Sequence, residues 1–525
     1  MKKLAARRQK PKTKKRRANP PGAFAADLSL LRRLLGDESL EEERLESMVD
    51  EFLSASPQDI TDFPDDEVTS ALAEQLDCVR VDANGGDPEA RKTLKSVRNK
   101  IDEAAGRDEI HPAALFLLAR LFAGAQVDIG DAARASLDRM VLAGFFPQPG
   151  GEAFRELVQS LIPDFAHDPF VLHEEVRLAI AAFPLAYRAA IAEALAVGGS
   201  ASARQSAVGF LLDPAEPVAS AAMSGLAASA ARGLFDSVSR SRIEMIRPWL
   251  SPAARAALAS IIPSASPAFR RAAVEFVTSM ASVCDGSGAA ALFAMLKCGA
   301  RYSIASVMTK PWGVAECFLV EDLPKGQAEA ILRQSSLSAE AVEVSFMAWA
   351  RLLRLALGRN LARRTPPPFE LVRVLEAIGL DSLGADLATP AEIIDSTLTG
   401  IVDSEHRDAS WKARETFIAD SWFEAGEDVD AVLHLTNTVE GGARALLKNY
   451  LPGRREFWAS QCALSALALK DGKATSDQDW KRLALVGRDL LRDVPLYEIP
   501  LMRHIAERSA AAFFLQHERP LGRCP

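Results

Sequence analysis

The chain has 525 residues, of which 48% are hydrophobic and 25% charged. That balance excludes a fibrous or wholly unstructured chain and provides for a large packed core. The formal net charge of −8 hides an asymmetry between a basic start and an acidic remainder, so the two ends suit different partners.

The basic start is Lys2, Lys3, Arg7, Arg8, Lys10, Lys12, Lys14, Lys15, Arg16 and Arg17, with no acid among residues 1–17. Such an arm repels itself and neutralises phosphates without reading a sequence, so residues 1–23 are predicted to be disordered and able to bind nucleic acid or an acidic partner. No aromatic side chain stands in the arm to stack on bases. Asn19-Pro20-Pro21-Gly22 ends it. Residues 37–67 carry thirteen acids against Arg44 alone, so the arm could also fold back on its own chain. No apolar core succeeds the basic run as in a secretory signal, and no apolar stretch is long enough for a membrane span. The expectation is a cytoplasmic protein with reduced thiols, because its six cysteines form no Cys-x-x-Cys pair.

Alanine and leucine dominate the rest of the chain, and both lose little side-chain entropy in a helix. Helices are predicted at 28–35, 39–54, 66–79, 88–105, 112–123, 130–143 and 151–162, within an N-terminal helical region at 24–165. His167 and His173 are six residues apart with Pro169 between them, which does not suit two ligands on one helix face. Asp168-Pro169 reads instead as an N-cap and first helical position.

Residues 166–300 form the most regular region. Proline recurs at Pro184, Pro217 and Pro252, at steps of 33 and 35 residues, each long enough for two helices and two turns. Small residues after these prolines let neighbouring helices approach closely. Leu211-Leu212-Asp213-Pro214-Ala215-Glu216-Pro217-Val218 continues through Ala222 to Leu226. This run resembles the HEAT-repeat pattern of leucines, an Asp-Pro turn, a valine, an alanine and a closing leucine. It departs from that pattern at Ala219, where HEAT repeats usually place arginine. The resemblance implies an all-α fold, an irregular α-solenoid of antiparallel helix pairs whose concave face binds a partner.

Gly286-Ser287-Gly288-Ala-Ala-Ala291 matches the dinucleotide-binding fingerprint formally. That motif needs a strand before it, and Arg270–Cys284 reads as a helix, so no dinucleotide is expected. A short strand is weakly indicated near Gly313–Val320. The C-terminal region, 301–520, is predicted helical at 325–334, 338–363, 368–378, 389–400, 408–424, 427–436, 438–449, 454–469, 476–492 and 498–516. Arg364-Thr-Pro366-Pro367-Pro368 breaks it.

In the 338–363 helix, Arg351, Arg354 and Arg359 fall in one broad stripe with Gly358. That stripe is a candidate cationic face for phosphate or an acidic partner. The plainer reading is a solvated helix face. Trp411, Lys412, Arg414, Glu415, Asp420 and Trp422 bring an acid, cations and aromatics together, as some helical-repeat DNA glycosylases do, but without matching any such motif. Gly522-Arg523-Cys524-Pro525 resembles the opening of the zinc-binding tail of some bacterial secretion ATPases, yet one thiolate cannot hold zinc. No metal, cofactor or catalytic residue is predicted.

The favoured expectation is a bacterial-type, non-enzymatic helical-repeat scaffold or adaptor with a protein partner. A nucleic-acid-associated protein anchored by residues 1–17 is the alternative. A helical glycosylase-type enzyme is the remote one.

Overall fold

A computed structural model describes residues 38–54, 66–84, 88–125, 127–144, 147–160, 168–198, 200–261, 274–400, 421–472 and 479–518. The basic arm from Lys2 to Arg17, the 28–35 helix, His167, Trp411, Lys412, Arg414, Glu415, Asp420 and Cys524 lie outside these residues. The chain divides into two units, Met1–Ser136 and Leu137–Pro525.

The first unit is helical: α1 (Glu38–Ser54), α2 (Asp66–Asn84), α3 (Pro88–Gly106), α4 (Pro112–Gly124) and the start of α5 (Asp131–Leu142). Leu45, Val49 and Phe52 recur along one stripe of α1, as Leu72, Leu76 and Val79 do in α2. All are buried with Val97, Ile101, Leu118 and Phe122. Lys100 on α3 reaches Glu46 and Asp50 on α1, both at 3.0 Å. His111 caps α4 by accepting from Ala113 N at 3.2 Å, with Pro112 at the first helical position.

The second unit begins with helices: α6 (Glu152–Ser160), α7 (Pro169–Ala179), α8 (Leu185–Val197), α9 (Ala201–Ala207), α10 (Glu216–Ala231), α11 (Ser237–Ile246) and α12 (Pro252–Ile261). Asp168 caps α7 through Phe170 N at 2.9 Å, as its sequence indicates. Helices α8 and α10 pack closely because Gly225 faces Ala196, with Ser229 Oγ donating to Ala196 O at 2.6 Å. A Cβ on Gly225 would stand 2.7 Å from both Ala196 Cβ and Glu193 O.

The all-α solenoid is overturned beyond residue 274. A five-stranded antiparallel sheet runs in the order β4-β3-β2-β1-β5, built from β1 (Glu275–Ala281), β2 (Ala290–Cys298), β3 (Arg301–Lys310), β4 (Gly313–Leu323) and β5 (Val342–Val344). The fold is mixed α/β. β2 reads Ala-Ala-Leu-Phe-Ala-Met-Leu, good helix formers without alternation. Both its faces are covered, so Leu292, Phe293, Ala294, Met295 and Leu296 are all buried. Covered strands of this kind show continuous apolar runs, and tertiary pairing overrides their helical propensity. The weakly indicated strand at Gly313–Val320 is present as β4.

Turn chemistry accounts for the other departures from the expected helices. β2 and β3 pair from Cys298↔Arg301 through a two-residue loop whose first residue, Gly299, has φ +60. Gly286 and Gly288 lie in the β1–β2 connection. There Asp285 Oδ1 accepts from Ala289 N at 2.9 Å and Ser287 Oγ at 2.7 Å. The Gly286–Ala291 run does come after a strand, not the expected helix, but it leads into a second antiparallel strand. A dinucleotide is therefore disfavoured because no helix starts at this turn to receive a pyrophosphate.

One sheet face carries α13 (Lys325–Ser338), whose Ala328 and Leu332 bury Phe293, Met295, Ile304 and Leu323. The other face carries α14 (Phe346–Arg363). The predicted 338–363 helix is accordingly broken by β5. After α14 come α15 (Glu370–Ile378), α16 (Pro390–Thr397), α17 (Glu427–Leu433), α18 (Val439–Asn449), α19 (Arg455–Asp471), α20 (Asp479–Leu491) and α21 (Pro500–Glu518). The helices of 169–261 are fastened to the α15 region. Arg242 forms a two-pronged ion pair with Glu376 (2.9 and 3.1 Å), and Trp249 Nε1 donates to Leu383 O at 2.8 Å.

Candidate functional site

The sheet offers two distinct surfaces. On the α14 side, Asn360 is fully buried and clasps β4, accepting from Val314 N at 2.7 Å and donating to Val314 O at 3.3 Å. One residue earlier in α14, Arg359 lines a cavity with Ser282, Cys284, Ala290, Leu292, Thr309, Leu352 and Leu464. Its Nε is buried with no hydrogen-bond partner. Burial pulls its guanidinium below the ordinary arginine value, Arg363 adds to this, and Cys284 opposes it. Cys284 is buried, its N–H donating to Ser465 Oγ at 3.1 Å and its carbonyl accepting from Trp422 Nε1 at 2.8 Å. Burial pushes its thiol up to about 11, partly offset by Arg359. A thiol so raised is protonated at neutral pH and a poor nucleophile.

The candidate arginine stripe is divided by the structure. Arg351 donates to Ser396 Oγ and Arg354 to Gly384 O, both at 3.1 Å, and Arg354 O accepts from Asp386 N at 2.8 Å. These two hold the 384–396 segment across α14, where Asp386 O lies directly over Gly358. Arg359 projects about 100° further round the helix than Gly358, towards the sheet. Arg351 and Arg354 therefore act as ties, and Arg359 alone faces a cavity.

On the α13 side the covering is partial. Register places Ala291 opposite Met308, Met308 opposite Glu316, Ser306 opposite Phe318 and Ile304 opposite Val320, all on one face. Met308 and Val320 are each 37% exposed there. The adjacent β4 edge is interrupted by register shifts at both ends, with Asp322 at φ +59, and carries Glu316, Glu321 and Asp322. Such an edge resists the addition of another strand, and the face beside it stays open.

An acid does meet aromatics and an arginine, but in a buried node. Glu424 is 6% exposed and accepts from Arg454 Nε (2.8 Å), Trp458 Nε1 (2.8 Å) and Tyr450 OH (3.1 Å). Its backbone N–H donates to Ser509 Oγ at 2.8 Å. Both carboxylate oxygens are engaged, which is the arrangement of a structural tie. Sequence reading missed Glu424 because its partners are 26 to 85 residues away.

A second charged group surrounds Arg373, which meets Glu321 at 2.6 Å and Asp168 and Glu370 at 3.3 Å. Three acids share one cation. Burial raises Glu370 to about 7, with Asp168 and Glu321 adding to the shift and Arg373 opposing it. His173 is packed against Phe210 and Phe369, its Nδ1 at 3.1 Å from Ser206 O, and burial lowers it to about 4. Neither His173 nor any other described residue belongs to a cluster of His, Cys, Asp and Glu able to hold a metal ion.

These two groups give opposed pH dependences. Glu370 binds its proton more tightly when folded, so its contribution is lost as pH rises from about 4.5 to about 7. His173 binds its proton less tightly when folded, so its contribution is lost as pH falls from about 6.5 to about 4. Each spans at most about 3.5 kcal/mol, since one pKa unit corresponds to about 1.4 kcal/mol. Stability between pH 4.5 and 6.5 is therefore expected to be nearly flat in the native chain. In Glu370→Gln it should rise with pH over that range. Urea midpoints measured across pH 4–8 check this, and parallel profiles for the two chains would refute the assignment.

Among the described residues no helix is long and apolar enough to cross a membrane. No solved structure matches the chain. Over 315 residues it is 27% identical to the uncharacterized protein y4lR of Sinorhizobium fredii (strain NBRC 101917 / NGR234). That match covers 57% of this chain and 60% of the relative's length. Residues 184–268 match the model of the Y4lR second domain, and the resemblance of the Leu211–Leu226 run to HEAT repeats is not confirmed by that match. Residues 391–514 match the model of the Y4lR C-terminal helical domain. The two matched segments stand on either side of the sheet in the sequence.

Proposed function

We propose that this protein is a non-enzymatic adaptor that binds a protein partner through the α13 side of its sheet. The observation that carries this reading is the half-covered face at Ala291, Met308, Phe318 and Val320. Packing the rest of that face beneath a partner would remove apolar area from water at about 25 cal/mol per Å². The irregular acidic β4 edge favours docking on the face over strand addition. The ten cations of residues 1–17 favour a second reading, in which the chain also holds nucleic acid.

One experiment separates these readings. A photo-crosslinking residue at Met308 is used to capture partners, with and without Met308→Lys/Val320→Lys, nuclease treatment and deletion of residues 1–23. The adaptor reading expects a protein crosslink that survives nuclease and tail deletion and falls at least tenfold in the lysine variant, crosslinked from another position on the same face. Capture unaffected by the lysines but abolished by nuclease and tail deletion would replace it with the nucleic-acid reading.

A further inference from the structure

The Arg359 cavity lies on the α14 side of the sheet and is independent of the docking face. A guanidinium has five N–H donors and no acceptor, so its charge requires an acceptor wherever water is thinned out. The Nε of Arg359 is buried and unpartnered. Around it the walls are Ala290, Leu292, Leu352 and Leu464. The hydroxyls that line the same space are already committed as donors, Ser282 Oγ to Val283 O at 2.9 Å and Thr309 Oγ1 to Ala290 O at 3.2 Å. Cys284, held neutral by burial, keeps a weak S–H donor.

We propose that this cavity binds a small, weakly hydrated monovalent anion, a halide or a small carboxylate, with Arg359 as its principal donor. A single cation balances one negative charge. Apolar walls and few free donors disfavour strongly hydrated dianions such as sulfate, which would surrender many water contacts on entry. A bound anion would also give the buried Nε of Arg359 an acceptor.

The test uses the full chain at constant ionic strength, replacing sodium gluconate by sodium bromide, sodium formate or sodium sulfate. A ligand that binds only the folded state raises the melting midpoint in a saturable way. Bromide and formate are expected to raise it by roughly 2 °C at tenfold excess over Kd, with sulfate and gluconate inert. Arg359→Met is expected to abolish the saturable rise. Equal shifts with bromide, formate and sulfate, or the same rise in Arg359→Met, would overturn the proposal. Should Arg359→Met not fold, crystals of the native chain in bromide decide. Anomalous density within hydrogen-bonding distance of Arg359 supports the site, and its absence at full soak refutes it.

Discussion

Glu424→Ala is expected to lower the unfolding free energy by about 3–5 kcal/mol, the range for removing one partner of a buried charged pair. The loss is larger than for an ordinary hydrogen bond because of what remains. Arg454 keeps its charge, Trp458 Nε1 stays buried without an acceptor, and Tyr450 OH loses its carboxylate. These groups approach Glu424 from the α18 end, from α19 and from the turn between them, while Ser509 on α21 holds its backbone. Glu424→Gln keeps an acceptor for the indole and should cost clearly less. Urea denaturation of both variants checks the order. Equal and small losses, below about 1 kcal/mol, would mean that water replaces the carboxylate readily.

Gly358→Ala is expected to destabilise by about 2–3 kcal/mol, although alanine is the better helix former by about 1 kcal/mol. A Cβ at this position would occupy the place of Asp386 O, a backbone atom that cannot rotate aside. The 384–388 backbone is pinned there by Asp386 N to Arg354 O and by Arg354 Nε to Gly384 O. Relief therefore requires moving the whole segment and breaking both bonds. An exposed-face alanine such as Ala362→Gly serves as the propensity control. A thermal midpoint for Gly358→Ala at or above that of the native chain would refute the close crossing.

Much of the helical fold was legible from residue spacing. Asp168-Pro169 and Pro112 marked helix starts, and Gly379, at φ +83, stands after Ile378, where the 368–378 prediction ends. The sheet was not legible in the same way. β2 lacks clean alternation because layers cover both its faces, and β4 lacks it because register shifts interrupt its pairing, whereas Tyr302-Ser-Ile-Ala-Ser-Val-Met-Thr309 in β3 does carry β-branched residues at intervals. The arginine stripe was visible, but its division was not. Helix periodicity places Arg351, Arg354 and Arg359 near one another, and only the crossing of residues 384–396 separates two ties from one cavity-facing cation. Glu424 left no local signal, since sequence-distant partners make its environment.

The closing of the sheet has a kinetic consequence. Strands β1 to β4 form a meander, each pairing with its neighbour in the chain, so their contacts close short loops and are reached quickly. β5 differs. It has three residues, returns past β4 and α13, and pairs with β1 through Ser279↔Val344 and Ala281↔Val342. So short a strand cannot hold itself in place and must arrive with α14 already helical behind it. β1 thus stays an open edge until α14 docks, and refolding should show an early meander phase and then a slower step in which β5 and α14 lock together.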